Sequence, residues 1–440
     1  MKKSTRFVSL FCAAALVVGS VAGCGSNKKE TENSTEKATE ATTEAKTEAE
    51  TEAKTEAKTE AETEAKTEAE TEAKTEANET EKTTSAEGTF KIGGIGPLTG
   101  GAAVYGIAVK NAAEIAVDEI NEAGGINGYQ IEFQFEDDEH DAEKAVNAYN
   151  TLKDWGMQML LGTVTSTPCV AVAAETANDN MFQLTPSGSA EDCIAGDNAF
   201  RVCFADPDQG TESAKYIGST GLATKIAVIY DSSDVYSSGI YEAFAAEAPN
   251  QGLEIVSAEA FTADSKTDFS VQLQKAKDSE AELVYLPIYY TEASLILSQA
   301  DSMDYHPTFL GCDGLDGILA VEGFDTALAE GVILLTPFAA DATDDLTVNF
   351  VTKYQEAYGE VPNQFAADAY DGIYIMKAAL ENAGATPDME VSDLCEAIKA
   401  QMVELSFDGL TGTGITWDAS GAPSKAPKAV VVKDGAYTEM

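Results

Sequence analysis

The chain has 440 residues and a formal net charge of −47, from 75 Asp and Glu against 28 Lys and Arg. A surface this acidic excludes nucleic acid and anionic membrane as electrostatic partners. The length beyond the first 87 residues is enough for two lobes, each with its own core.

Lys2, Lys3 and Arg6 precede an apolar run over 7–18 and the small-residue sequence Val21-Ala22-Gly23-Cys24. This is the pattern of a secretory leader, too short for a stable membrane span. Its end resembles the bacterial lipobox, which implies cleavage after Gly23 and a lipid on Cys24. Acyl chains contribute about 0.8 kcal/mol per buried CH₂, so two or more of them would anchor the protein without spanning the membrane. Residues 1–23 are therefore expected to be a signal peptide and 24–88 a lipid-anchored stalk.

From 27 to 87 the sequence is nearly pure Thr, Glu, Ala and Lys, with Thr-Glu-Ala-Lys/Glu tetrapeptides over 43–77. No large apolar residue occurs there, so it cannot bury a core. A helix is opposed by β-branched Thr at every fourth position and by glutamates such as Glu44, Glu48 and Glu52, which repel at i,i+4. The expectation is a disordered spacer reaching about 40 to 50 Å on flexible-chain scaling. Such a spacer suits a Gram-positive-type envelope. It holds nine Lys and nineteen Glu; with the three cations of the leader, that leaves −40 on residues 88–440.

Beyond Gly88, short apolar strands alternate with amphipathic helices. Strands are expected over 90–95, 130–135, 159–161, 182–184, 199–204, 225–230, 254–258, 283–286, 308–310 and 332–335, and helices over 108–123, 142–155, 239–248 and 269–276. Helices over 344–358, 364–382 and 391–405 follow, with terminal strands near 414–417 and 429–433. This alternation calls for parallel sheets covered on both faces. It restarts near Pro207, and one sheet of so many strands is disfavoured. The expected fold class is α/β: two doubly wound parallel-sheet lobes joined by a hinge. Residues 89–206 and 337–412 would form the first lobe, 207–336 and 413–440 the second. Ligands of such sheets sit at the carboxyl ends of the strands, where two facing lobes would enclose them.

The glycine-rich loop after the first strand fails as a dinucleotide site, because Thr99 stands where Gly94-x-Gly96 needs its third glycine and Pro97 interrupts the turn. No cofactor is expected. Hydroxyl-rich loops at 162–168, 185–189 and 231–236 also follow strands. Their Ser and Thr suit helix caps, and equally suit a carboxylate placed at free helix N–H groups. Cys169, Cys193, Cys203, Cys312 and Cys395 show no Cys-x-x-Cys metal spacing. His140 and His306 are expected at the surface, so neither a metal nor a Ser-His pair is supported, and the chain is not expected to be an enzyme.

Gly96-Pro97-Leu98-Thr99-Gly100 with Tyr105-Gly106, then Gly124-Gly125-Ile126-Asn127-Gly128, Leu161-Gly162 with Ser166, and Thr185-Pro186 form an ordered series. Tyr230-Asp231 with Tyr236, Gly311-Cys312-Asp313-Gly314 and Ala369-Tyr370-Asp371 continue it. In order and spacing the series resembles the branched-chain amino-acid binding proteins of the type I periplasmic-binding fold, over residues 89–440. The resemblance implies a monomeric receptor that closes on a small amino acid at the outer face of the membrane and delivers it to the permease of an ABC importer. It further implies that Ser166, Ser187 and Ser189 meet the ligand carboxylate and Asp313 its ammonium. Tyr105, Tyr236 and Tyr289 would close around the ligand, with Phe365 adding to the side-chain pocket. The chemistry agrees, since a zwitterion needs one anion-binding and one cation-binding end.

Two departures from the family pattern qualify the ligand. Asp313 stands where relatives often carry Glu, and Ser187-Gly188-Ser189 is more polar than the small apolar loop common among branched-chain binders. A small polar amino acid or amide is therefore the alternative ligand, and a sensing module the alternative role. The disulfide of some relatives lacks its cysteines here; Cys169, Cys193 and Cys203 leave a different pairing open. Asp316, three residues beyond Asp313, is not expected to reach the ligand.

Overall fold

A computed structural model describes residues 88–425 and 427–440. The expected leader, Cys24 and the stalk lie outside the described residues.

The first sheet is built from β1 (Thr89–Gly96), β2 (Gln130–Asp137), β3 (Met159–Gly162), β4 (Phe182–Thr185) and β5 (Ala199–Arg201), joined through α1 (Ala103–Glu122), α2 (Ala142–Trp155) and α3 (Ser166–Asp179). Its order is β2-β1-β3-β4-β5 and every pairing is parallel. After α4 (Asp206–Thr220) the same plan repeats. β6 (Lys225–Asp231), α5 (Val235–Glu247), β7 (Glu254–Phe261), α6 (Ser270–Asp278), β8 (Leu283–Leu286), α7 (Tyr290–Ser302), β9 (Thr308–Gly311) and β10 (Ile333–Thr336) follow. The chain continues through α8 (Asp345–Tyr358), α9 (Gln364–Ala383), α10 (Val391–Met402) and the hairpin β11 (Ser406–Gly409) and β12 (Gly412–Thr416). It ends with β13 (Lys428–Lys433) and β14 (Ala436–Glu439), which add antiparallel to β10. The second sheet thus runs β14-β13-β10-β9-β8-β6-β7.

The strand sequences explain this layering. β3, β4, β8 and β10 are buried at every position, as strands of a parallel sheet covered on both faces must be. Helix α9 is buried along most of its length and packs on α1, and both bury small residues, among them Ala112 and Ala116 of α1 and Ala366 and Ala369 of α9. Gly106 lets α1 sit against the loop after β1, because a Cβ there would fall 2.0 Å from the Pro97 carbonyl oxygen. Ends are set by local chemistry: Asp141 accepts from the Lys144 N–H at the start of α2, and left-handed Gly156 ends it.

Some expectations change. Helices α3, α4 and α7 add to those named from the sequence; the first turn of α3, Ser166-Thr167-Pro168-Cys169, lies in a stretch that reads as a hydroxyl-rich loop. β5 stops at Arg201, three residues early, where the chain leaves the first sheet. The return to the second sheet comes at β13, later than residue 413: β12 pairs with β11, and Trp417 donates its indole N–H to the Arg201 carbonyl at 2.7 Å. His140 is half-buried rather than at the surface, whereas His306 is exposed. All five described cysteines are buried free thiols. No described helix is long and apolar enough to cross a membrane, and no group of three or more His, Cys, Asp or Glu among the described residues could hold a metal ion.

Candidate functional site

The carboxyl ends of the strands in both lobes meet at one cleft. It is lined by Tyr105, Val164, Thr165, Ser166, Ser187, Ser189, Tyr236, Tyr289, Asp313, Gly314 and Phe365. All eight ligand-contact residues expected from the sequence are brought together there. The walls leave a cavity of about 10 Å³, too small for an amino acid without movement of those walls.

On the first-lobe side, Ser166 opens α3 directly after β3. Its hydroxyl oxygen accepts the N–H groups of Ser189 and Ala190, both at 3.2 Å, and therefore ties the β4 loop to the start of α3. With both lone pairs engaged, the hydroxyl has only its proton left to offer, which suits a carboxylate. Ser189 Oγ stands 3.5 Å away. Ser187 differs: its proton goes to the Val164 carbonyl at 2.6 Å, so it presents lone pairs to the cleft. The buried guanidinium of Arg201 donates to the carbonyls of Ser189 and Glu191 and fixes the loop from behind.

The second-lobe side is built around Asp313, in the turn after β9. Its Oδ1 accepts from the Tyr236 hydroxyl at 2.7 Å, and that same hydroxyl accepts the Gly314 N–H at 2.9 Å. Gly314 must be glycine here, since a Cβ would lie 2.5 Å from the Tyr236 oxygen. The Asp313 N–H donates to Gln209 Oε1 at 3.2 Å, and the Asp313 carbonyl accepts from Gln364 Nε2 at 3.0 Å. Burial pushes the Asp313 carboxyl up to about 7, against the hydrogen bond from Tyr236 that pulls it down. A cation delivered to this carboxylate would restore its charge.

Aromatic rings make the remaining walls. Tyr105 lies over Phe365 with centroids 4.1 Å apart, and Tyr236 stacks on Tyr289 at 4.8 Å and 10°. The Tyr105 hydroxyl crosses between lobes, donating to the Gly314 carbonyl and accepting the Tyr290 N–H. The Tyr289 hydroxyl is buried without a partner. At the mouth, His140 sits 2.8 Å from the Thr165 hydroxyl and edge-on to Tyr289, its pKa lowered by burial and raised in part by Asp234 opposite.

The hydroxyl loops differ in how far their side chains serve the local backbone, and in the 185–189 loop the Thr185 hydroxyl accepts the Gly188 N–H at 2.7 Å. Thr165 makes no side-chain cap to α3, and Ser166 reaches across to the β4 loop. In the 231–236 loop the cap of α5 is Asp234, while Ser232 donates to the Phe261 carbonyl. Asp316 does not line the cleft, as expected. It is nevertheless buried, and its Oδ2 accepts the Gln364 N–H at 2.8 Å. Arg201, Gln209 and Gln364 were missed by the sequence reading: each acts through a partner remote in the chain, and no local motif marks them.

Two repeated α/β lobes that face each other across a hydroxyl-lined loop and a buried carboxylate have the plan of a two-lobed solute-binding protein. The comparisons agree. A family model described as periplasmic binding protein matches residues 89–436. The "Leu/Ile/Val-binding protein homolog 3" of Brucella melitensis is 31% identical, over 69% of this chain and 82% of that protein. The leucine-, isoleucine-, valine-, threonine- and alanine-binding protein of Pseudomonas aeruginosa is 28% identical, over 73% and 87%. Among solved structures, the branched-chain amino-acid transporter substrate-binding protein LivJ of Streptococcus pneumoniae, in complex with isoleucine, superposes with a TM-score of 0.73 at 28% identity, covering 80% of this chain and 98% of that one. The leucine-binding protein LivK of Thermotoga maritima gives 0.71 at 26%, with the same coverage. The chain belongs to the periplasmic binding protein family, among the branched-chain amino-acid substrate-binding proteins of ABC transporters.

Proposed function

We propose that this protein is the receptor of an ABC importer and binds a free amino acid in the cleft, with branched-chain amino acids the first candidates. The observation that carries the reading is the pairing of two chemically opposite ends: the free proton of Ser166 in one lobe and the buried carboxylate of Asp313 in the other. A zwitterion satisfies both at once. The names of the relatives point to Leu, Ile and Val. The same proposal takes Ser166 and Ser189 as the carboxylate side, Asp313 as the ammonium partner, and Tyr105, Tyr236, Tyr289 and Phe365 as the closing walls; Ser187, expected with the other two serines, spends its proton on the Val164 carbonyl and is left to accept from the ligand. It makes the protein a monomeric lipoprotein held outside the cell by a lipid on Cys24 and spaced from the membrane by residues 24–88.

A small polar amino acid or amide is the second reading. It is favoured by the unpartnered Tyr289 hydroxyl and by the lone pairs that Ser187 turns to the cleft. A thermal-shift screen over the amino acids and their amides separates the two. Ligand at about 100 times its Kd stabilises by about 2.7 kcal/mol. The first reading predicts the largest shift with Leu, Ile or Val; larger shifts with Ser, Thr or an amide select the second, and no shift with any amino acid contradicts both.

A further inference from the structure

Back to back with the cleft lies a second cavity of about 670 Å³, within the range of small-molecule sites. Three short segments separate the two. Tyr105 faces the cleft and Val104 the cavity; Gly314 faces the cleft and Asp316 the cavity; Phe365 faces the cleft and Asn363 the cavity. Both lobes line it, with Val104, Ala108 and Val351 from the first and Leu319, Ala320 and Tyr437 from the second. Its walls are largely apolar, and Val361 at its rim is 59% exposed.

The charges in this cavity have one sign. Asp316, Asp341 and Glu360 line it, and among the described lining residues there is no Lys, Arg or His. Asp316 is 5% exposed; Oδ2 accepts from Gln364 N, and Oδ1 has no hydrogen-bond partner. The neighbouring Tyr437 hydroxyl accepts the Gly317 N–H and donates a long 3.5 Å bond to the Leu315 carbonyl; it lies near enough to the Asp316 carboxylate to lower its pKa, but makes no hydrogen bond of good geometry to it. An unpartnered carboxylate oxygen at the end of an apolar cavity is a site for a cation with an apolar body.

We propose that this cavity is a second binding site, taking a small organic cation such as an alkylamine, with its ammonium at Asp316 and its chain against Val104, Ala108, Leu319 and Val351. Because both lobes line the cavity, occupation favours their closed arrangement and raises the affinity of the cleft for its ligand. Coupling is reciprocal, so cleft ligand raises amine affinity equally. The coupling, but not the binding itself, rests on the cleft being an amino-acid site.

Calorimetry with the full chain and hexylamine, hexan-1-ol and hexanoate as probes tests the site. Saturable binding of hexylamine is expected, at least about tenfold tighter than hexan-1-ol, with none for hexanoate. Asp316→Asn should erase the preference for the amine. Ala320→Trp, an exposed position at the rim whose larger side chain fills the cavity, should abolish binding without disturbing the fold. Asp313→Asn should leave hexylamine binding intact. Equal affinity for amine and alcohol, binding unchanged in Ala320→Trp, or binding lost in Asp313→Asn would each overturn the proposal, the last by placing the amine in the cleft. The coupling is read separately: hexylamine should tighten the binding of the best amino acid about fivefold or more, and unchanged affinity overturns the coupling alone.

Discussion

The Tyr236 hydroxyl donates a 2.7 Å hydrogen bond to Asp313 Oδ1 and takes the Gly314 N–H on its own oxygen. One phenol therefore holds both the carboxylate and the backbone of the turn that carries it. The Tyr105 hydroxyl grips the same turn from the opposite lobe, at the Gly314 carbonyl. In this arrangement the contact between the lobes and the placement of the carboxylate share one turn.

Ser166→Ala removes a hydroxyl proton that faces the cleft and also unpartners the Ser189 and Ala190 N–H groups. A hydrogen bond to a charged group is worth about 1.5 to 3 kcal/mol, so amino-acid affinity should fall roughly ten- to 150-fold by calorimetry. Ser232→Ala, whose hydroxyl serves the Phe261 carbonyl outside the cleft, should change it little. Equal small effects would count against the carboxylate role of Ser166.

The raised pKa of Asp313 gives affinity a pH dependence of definite sign. Below about 7 the carboxyl is protonated and cannot neutralise an ammonium, so Kd should climb as pH falls from 8 to 5, approaching tenfold per unit. Asp313→Asn should flatten this profile, although the nearby buried Asp206 and Asp368 remain. Ligand-free stability carries the opposite signature. The folded chain holds this proton more tightly than an unfolded carboxyl of about 3.9, so the contribution of Asp313 declines as pH rises from about 4 to about 7.

Thr167 donates to Asp234 Oδ1 across the lobes at 3.0 Å. Thr167→Ala removes a contact made only when the lobes are closed, so it should act on release more than on capture. Stopped-flow measurements are expected to show ligand dissociation accelerated about two- to tenfold with a nearly unchanged association rate. A slower association with unchanged release would contradict this role.

Cys24→Ser should release the protein to the medium or leave its precursor uncleaved, as cell fractionation and the mature N-terminus would show. Cleaved protein that stays with the membrane would argue against the lipid anchor.

Much of the fold was legible because it rests on local pattern: four-residue apolar runs such as those of β3 and β8 can be little else than strands of a covered sheet. That the strand-end loops share one cleft was legible for a related reason, since a doubly wound sheet brings them together whatever their separation in sequence; the individual residues in them came from the resemblance to the branched-chain amino-acid binding proteins. What stayed hidden depends on topology. Gln209 and Gln364 hold Asp313 from 104 and 51 residues away, and their local sequences carry no sign of it. Asp316 reads as a loop carboxylate three residues from the site, yet it is buried against the start of α9. It cannot therefore serve as a neutral control for Asp313; Asp304, whose side chain is fully exposed, can.

The most direct test sets a good amino-acid ligand, leucine in the first reading, against its analogue lacking the ammonium, 4-methylpentanoate, in wild type, Asp313→Asn and Asp304→Asn. Truncating one partner of a buried charge pair costs about 2 to 5 kcal/mol. Calorimetry should therefore show leucine binding weakened roughly thirty-fold or more in Asp313→Asn, unchanged in Asp304→Asn, and a much smaller gap between wild type and Asp313→Asn for 4-methylpentanoate. Near-wild-type leucine affinity in Asp313→Asn, or equal wild-type affinity for the two compounds, would contradict an amino-acid site built on this carboxylate.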